Sequence, residues 1–76
     1  MDIKDFISKF ADQFDDLDAS VLTPETEFKH LEDWNSLVAL SVIAMIDEEY
    51  DITLKGNDIN GATTIEDLFN AVQSKL

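Results

Sequence analysis

Apolar residues near the N-terminus recur at the three- and four-residue spacing of an amphipathic helix. The set comprises Ile3, Phe6, Ile7, Phe10, Ala11, Phe14 and Leu17. Charged side chains such as Asp5, Lys9 and Asp12 fall on the other side of the same helical projection. The pattern therefore predicts a first helix that buries one face.

A second helix is predicted from Ser36 to Tyr50. At 3.6 residues per turn, its core stripe comprises Ala39, Val42, Ile43, Ile46 and Tyr50. The opposite side is apolar in its first half and acidic toward its end, which favours a surface that contacts another molecule. The alternative is burial of that side under the preceding loop, since Phe28 and Trp34 are close in sequence.

The segment between these helices, residues 18–35, shows no sustained period and holds the only proline of the chain. Such a long loop is uncommon in a compact domain and is often functional. Spaced apolar residues are expected to anchor it to the rest of the fold. They are Val21, Leu22, Phe28, Leu31 and Trp34.

The C-terminal third predicts two further elements. Residues 57–61 fit one short helical turn with Ile59 facing inward. A last helix, ending near Lys75, is predicted to begin at a capping box formed by Thr63 with Glu66 or by Thr64 with Asp67. Its core stripe comprises Ile65, Leu68, Phe69, Val72 and Leu76. The expected fold is all-α, a small four-helix bundle of three main helices and one short helix, with a long loop between the first two.

Length and charge limit the possible functions. Seventy-six residues predict one domain, residues 1–76, too small for a deep catalytic cleft, so an enzyme is not expected. The formal net charge of −12 repels nucleic acid and anionic membranes and favours partners with basic surfaces. The longest apolar run, residues 37–46, is too short to span a bilayer. A cytoplasmic monomer without membrane insertion is therefore expected.

Catalytic and metal-binding patterns are weak. His30 lies six residues before Ser36 and is interpreted as a solvated loop residue, because no third group is placed to orient it. The acidic residues of segment 47–51 lack the spacing of a calcium loop, so they are expected to bind divalent ions only weakly. Hydrolytic chemistry is not supported.

Ser36 is the residue with the most informative position. It opens the apolar second helix in the run Asp33-Trp34-Asn35-Ser36-Leu37. A hydroxyl in the first turn stays in solvent, and the free N–H groups behind it favour a negative group. This placement suits a hydroxyl that carries a phosphodiester. From the local pattern alone, however, a plain helix cap is the more common use of such a serine.

Three segments extend this observation over the whole chain: Asn35-Ser36-Leu37 at the start of the second helix, 43–52 at its end, and 62–68 at the start of the last helix. In these segments the chain resembles acyl carrier proteins, the small four-helix carriers of fatty acid and polyketide synthesis. The attachment motif of that family is commonly Asp-Ser-Leu. The resemblance favours a modified Ser36 over a plain cap.

The resemblance implies a cofactor and its partners. A phosphopantetheinyl transferase would attach 4′-phosphopantetheine from coenzyme A to Ser36, and the terminal thiol would carry acyl groups as thioesters. Enzymes such as ketosynthases and acyltransferases would dock on the outer side of the second helix, with acidic residues pairing at the rim. The expected partner-binding residues are Leu37, Leu40, Ala44, Met45, Asp47 and Glu48.

The family also implies a cavity between the helices that shelters the acyl chain. The candidate lining residues are Val42, Ile46, Ile59, Ala62, Ile65 and Leu68. The same residues equally fit an ordinary core.

Three departures from the family pattern affect recognition. Asn35 replaces the usual Asp before the attachment serine, and Val38 and Ser41 stand where many members carry acids. The choice of transferase is therefore open, and a specialised pathway is expected. Two alternatives remain: a carrier of aminoacyl or aryl groups for a peptide-type assembly line, and an unmodified acidic helical adaptor.

Overall fold

The computed structural model describes residues 2–76, and this range contains four α-helices and no strand. The helices are α1 (Ile3–Ala11), α2 (Ser36–Tyr50), α3 (Gly56–Gly61) and α4 (Ile65–Gln73). Three of them are main helices and α3 is short. The predicted all-α bundle with a long loop between its first two helices is confirmed.

Local sequence signals explain where these helices begin and end. The Asp2 carboxylate caps α1 by accepting a hydrogen bond from the Lys4 N–H at 3.1 Å. At α4 the capping box uses the second predicted pair: the Asp67 N–H donates to Thr64 Oγ1 and the Thr64 N–H donates to Asp67 Oδ2, both at 3.1 Å. The N–H groups of Thr64 and Thr63, which both donate to Asp67 Oδ2, hold the pKa of the Asp67 carboxyl below its ordinary value. Helix α2 ends at Tyr50, and the following residue, Asp51, caps it with a left-handed φ of 57°.

Helix α1 is shorter than its apolar pattern suggested. It ends at Ala11, and tighter turns follow, in which the N–H of Phe14 donates to the Ala11 carbonyl at 3.0 Å. Phe14 is nevertheless buried and Leu17 is half-buried. In turns with hydrogen bonds between residues i and i+3, residues three positions apart lie on nearly the same side. The apolar spacing of α1 therefore continues after the α-helix has ended.

The long loop contains two short 3-10 turns, Ala19–Val21 and Phe28–His30. Of its predicted anchors, Leu22 and Phe28 are buried, and Leu31 and Trp34 are half-buried. The prediction for Val21 was wrong, because its side chain is 66% exposed. Val21 lies on the outer side of the first 3-10 turn, and the next residue, Leu22, takes the inward position.

Two kinds of contact fix the loop on the bundle. The Trp34 ring lies over Phe10, with centroids 6.3 Å apart, and meets the Phe28 ring edge-on at 5.0 Å. The carbonyls of Pro24 and Thr26 accept hydrogen bonds from the Glu66 and Ile65 N–H groups at 2.9 and 3.0 Å. Because these N–H groups belong to the first turn of α4, the loop supplies acceptors that the helix itself cannot provide.

One hydrophobic core joins the helices and the loop. In α2, Val42 and Ile46 are buried, while Ala39, Ile43 and Tyr50 are half-buried, so the predicted core stripe is confirmed. In α4, the predicted stripe is confirmed for Ile65, Leu68, Phe69 and Val72. Leu76 was predicted wrongly: it lies beyond the end of α4 and is 70% exposed.

The Tyr50 hydroxyl is buried without a hydrogen-bond partner among residues 2–76. Burial raises the pKa of this phenol. A buried polar group that makes no hydrogen bond costs about 1–3 kcal/mol of stability. Tyr50→Phe removes the hydroxyl and keeps the ring beside Phe6, so we expect the free energy of unfolding to rise by about 1 kcal/mol in urea denaturation. Tyr50→Leu is the control, because it also removes the ring contact and should lower stability. A loss of stability in Tyr50→Phe would contradict the prediction.

The charge of the chain predicts how salt affects its stability. Within the described residues, Lys9 pairs with Asp5 and Glu49, and Lys75 lies 4.0 Å from Asp58. These few ion pairs leave most carboxylates of this range without a cationic partner, and the formal net charge is −12. The molecule extends only 29 × 24 × 21 Å, so its carboxylates are close enough to repel one another. Salt weakens this repulsion, because charges are screened over about 10 Å at 0.1 M. We expect the melting temperature to rise steadily from low salt to 1 M NaCl. Equal concentrations of KCl should give the same rise, and a falling melting temperature would contradict the prediction.

Candidate functional site

Asn35, the residue before Ser36, caps helix α2, so the Ser36 side chain is not needed as a cap. Asn35 adopts an extended backbone conformation, and its Oδ1 accepts a hydrogen bond from the Val38 N–H at 2.9 Å. Asn35 is therefore the N-cap of α2 and Ser36 is its first helical residue. The Ser36 side chain is exposed, and its Oγ makes no hydrogen bond within the described residues. The alternative role of Ser36 as a plain helix cap is not supported, because the Asn35 side chain caps α2.

The start of α2 is electrostatically suited to an anion. The first turn of this 15-residue helix contains no acidic residue. The Ala39 N–H donates to the Asn35 carbonyl and the Val38 N–H to the Asn35 side chain, while the N–H groups of Ser36 and Leu37 have no acceptor in the described range. A negative group at such a helix end gains about 0.3–1 kcal/mol. The site thus fits a phosphodiester on Ser36 Oγ.

The outer side of α2 exposes apolar residues next to acidic ones. Leu37 is 73% exposed and Leu40 is 63% exposed. Ala44, Asp47 and Glu48 are exposed as well. The loop does not bury this side, because its aromatic residues pack onto α1 instead. We call these five residues the outer face of α2.

Met45 was predicted to belong to this face, and that prediction was wrong. Its side chain is only 6% exposed and is part of the core. Met45 follows Val42 by three residues and precedes Ile46 by one, so all three lie on adjacent positions of the helix surface. A long, unbranched side chain at the border of the stripe can turn inward and fill the core.

The six predicted lining residues of an acyl pocket come together, but as packed core. Each of them is at most 5% exposed, and all belong to the same hydrophobic cluster. They are Val42, Ile46, Ile59, Ala62, Ile65 and Leu68. Opening of this region for an acyl chain therefore stays a prediction.

A cleft of about 380 Å³ lies on a different side of Ser36. It separates the turns that follow α1 from the first half of α2. Both sequence neighbours of Ser36 contribute to its lining. The lining residues are Gln13, Phe14, Asp15, Asp16, Asp33, Asn35, Leu37, Val38 and Ser41. Sequence periodicity gave no signal for this cleft, because its walls, residues 13–16 and 33–41, are separated by the long loop and meet only through its fold.

The remaining candidates form no site. His30 is exposed at the end of a 3-10 turn and makes no side-chain hydrogen bond with residues 2–76. In the same range, no group of three or more His, Asp or Glu side chains is arranged to hold a metal ion. None of the four helices combines the length and apolarity needed to cross a membrane.

Comparison with known families agrees with the geometry at Ser36. The sequence model of the family described as "Phosphopantetheine attachment site" matches residues 4–72. This range contains all four helices except the first residue of α1 and the last residue of α4. Neither a curated protein nor a solved structure matches the chain. Because the match covers nearly the whole length, the chain belongs to the phosphopantetheine-attachment family, whose carrier domains bear covalently bound 4′-phosphopantetheine.

Proposed function

We propose that this chain is an acyl carrier protein, formed by a single domain of residues 1–76, with Ser36 as its attachment residue. The observation that carries the proposal is the exposed Ser36 hydroxyl, which Asn35 relieves of capping and which lies at the N-terminal end of α2 within the matched range. When bound, the group supplies a terminal thiol that holds an acyl chain as a thioester. The protein itself is a carrier and not an enzyme.

The structure supports a passive role for the chain during its own modification. Ser36 Oγ is open to solvent, so a transferase can reach it without unfolding α2. No histidine or carboxylate accepts a hydrogen bond from this hydroxyl in the described residues, so the base that activates it belongs to the phosphopantetheinyl transferase. Ser36 Oγ would form a bond to the phosphorus of the phosphopantetheine part of coenzyme A, the pyrophosphate bond would break, and adenosine 3′,5′-bisphosphate would leave. The free N–H groups of Ser36 and Leu37 would favour the negative charge of the resulting phosphodiester.

The outer face of α2 is the proposed docking surface for basic enzymes, such as ketosynthases and acyltransferases. Leu37, Leu40 and Ala44 supply exposed apolar area close to Ser36, and Asp47 and Glu48 supply negative charge at the far end. An apolar centre with a charged rim is typical of protein interfaces. The small size of this face favours brief contacts, which a carrier needs because it visits several enzymes. The cytoplasm is the proposed compartment.

A substitution at Leu40 tests the docking surface. Leu40→Ala should lower the kcat/KM of an enzyme that acts on the modified protein about 10-fold, because burial of a leucine side chain contributes about 1.5–3 kcal/mol. The free energy of unfolding should stay nearly constant, since Leu40 is already 63% exposed. Leu76→Ala is the matched control, because Leu76 is 70% exposed and lies off this face. Equal kcat/KM values for the two variants would contradict the assignment.

Intact mass spectrometry tests the proposed function. The protein is incubated with coenzyme A and each of several phosphopantetheinyl transferases of different specificity, since Asn35 stands where acyl carrier proteins commonly have Asp. We expect a mass gain of one phosphopantetheine. An unchanged mass with all transferases would favour the unmodified adaptor.

The nature of the cargo requires a second step. The modified protein is offered to acyl-activating enzymes with fatty acids, and to amino-acid-activating enzymes with amino acids or aryl acids. A mass gain that matches a fatty acyl chain supports an acyl carrier. Loading only with aminoacyl or aryl groups would assign the chain to a peptide-type assembly line.

A further inference from the structure

We propose that the cleft beside Ser36 is the resting site of the neutral, pantetheine part of the arm. The inference rests on the proposed function, because it requires the group to be attached at Ser36. The cleft is defined by its position between the end of α1 and the first half of α2. It lies apart from the six core residues considered for an acyl chain, none of which contributes to its lining.

The position of the cleft brings it within immediate reach of the arm. Asn35 and Leu37 both line the cleft, so a group attached to Ser36 begins at its rim. Val38 and Ser41 continue one wall along α2, three residues apart and therefore on one side of the helix. The opposite wall comes from Gln13 and the residues directly after it. An arm that folds back over α2 toward α1 would therefore reach this space.

The polar atoms of the cleft match the donors of pantetheine. That part of the arm carries one hydroxyl and two amide N–H groups, all of which need acceptors when they leave water. The carboxylates of Asp15, Asp16 and Asp33 accept no side-chain hydrogen bond from residues 2–76. The Gln13 amide donates through Nε2 to the Lys9 carbonyl at 3.1 Å, so its Oε1 is free to accept.

The apolar atoms of the cleft match the other part of the group. Phe14, Leu37 and Val38 contribute to the same lining, and Leu37 is 73% exposed. The two methyl groups next to the phosphodiester of the arm would cover part of this surface. Removal of such area from water contributes about 25 cal/mol per Å². The volume of about 380 Å³ lies within the range of about 300–1,000 Å³ that is usual for small-molecule sites.

Charge explains why only the neutral part of the arm enters. Three carboxylates line the cleft and no Lys does, so a phosphodiester is repelled from its interior. The same phosphodiester is attracted by the free N–H groups at the start of α2. The two effects together hold the phosphate at the helix end and leave the uncharged amides and methyl groups to occupy the cleft.

Nuclear magnetic resonance of the isotope-labelled protein before and after modification tests the proposal. Intact mass first shows that Ser36 carries the group, which separates a failure of the proposed function from a failure of this inference. We expect cross-relaxation peaks between the arm's methyl protons and side-chain protons of Phe14 and Val38. The amide signals of Gln13 and Ser41 should shift as well. Peaks to Ile59, Ala62 or Leu68 in their place would overturn the proposal, and so would an absence of peaks beyond Leu37.

A pair of variants gives an independent readout. Ser41→Phe places a ring in the cleft, whereas Ala44→Phe places the same ring on the exposed outer face of α2, one turn further along. We expect loss of the arm's peaks to Phe14 and Val38 in the first variant and their retention in the second. Equal retention in both variants would overturn the proposal. So would cleft signals that respond only when a basic partner enzyme is added, because they would show a protein contact in place of the arm.

Discussion

Ser36→Ala is expected to abolish attachment of phosphopantetheine completely while leaving the fold intact. The substitution removes the only atom that can form the phosphodiester at this position. It removes no hydrogen bond within the described residues, because Asn35 caps α2. Surface changes of this kind usually alter the free energy of unfolding by no more than about 0.5 kcal/mol. Intact mass after incubation with coenzyme A and a transferase measures the first effect, and urea denaturation measures the second.

Asn35→Ala should show the opposite combination. Its Oδ1 is the acceptor for the Val38 N–H at 2.9 Å, and loss of an N-cap costs about 1 kcal/mol. The hydroxyl of Ser36 remains, so the mass gain should persist. Asn35→Asp should keep the cap, because both side chains offer an oxygen at the same place. It also introduces the acid that commonly precedes the attachment serine in acyl carrier proteins. This variant is expected to change which transferase acts fastest. Its free energy of unfolding should stay near that of the protein with Asn35.

A second serine serves as the control for specificity. Ser20 is exposed in a short 3-10 turn, yet its N–H donates to the Asp18 carboxylate and no long helix begins there. Ser20→Ala should therefore be modified normally. A Ser36→Ala protein that still gains the mass would show that another hydroxyl is the acceptor, and the assignment of Ser36 would be wrong.

The parts of the fold that were predicted correctly depend on signals that are local in sequence. Helix α2 begins and ends at the predicted residues, since its core stripe continues at helical spacing from Ala39 to Tyr50. The capping box of Thr64 and Asp67 needs only four consecutive residues. Ile59 was placed inward by its position within a short helical turn, and it is buried.

The errors arise where tertiary packing decides between neighbours. Val21 and Leu22 are both apolar, and only the direction of a 3-10 turn makes the second the anchor. The choice between Asn35 and Ser36 as the cap of α2, which the sequence left open, is decided by the extended backbone of Asn35, with φ −156° and ψ 179°. Met45 lies at the edge of the core stripe of α2, where the sequence does not determine whether its side chain points inward or outward. The cleft beside Ser36 joins residues that are distant in sequence, so no local pattern contains it.

Phe28→Ala is expected to cause the largest loss of stability. Phe28 is fully buried in the long loop and meets the rings of Phe10 and Trp34 at 5.8 and 5.0 Å. Removal of a buried phenylalanine side chain costs about 3–5 kcal/mol. A folded chain of this length has about 4–11 kcal/mol in total, at about 0.05–0.15 kcal/mol per residue. The variant should therefore lose a large fraction of its stability, which circular dichroism during urea denaturation would show as a lower midpoint.

The effect should spread from the loop to α4. The carbonyls of Pro24 and Thr26 accept the N–H groups of Glu66 and Ile65, and Phe28 holds this part of the loop against the core. When the anchor is lost, these two amides should exchange with solvent faster than amides in the middle of α2 do. Val21→Ala is the control in the same loop: its side chain is 66% exposed, so its free energy of unfolding should change by less than about 0.5 kcal/mol. If Phe28→Ala were no more harmful than Val21→Ala, the loop would not depend on its buried ring. In that case the hydrogen bonds from the Ile65 and Glu66 N–H groups to the loop carbonyls would have to hold the loop in place.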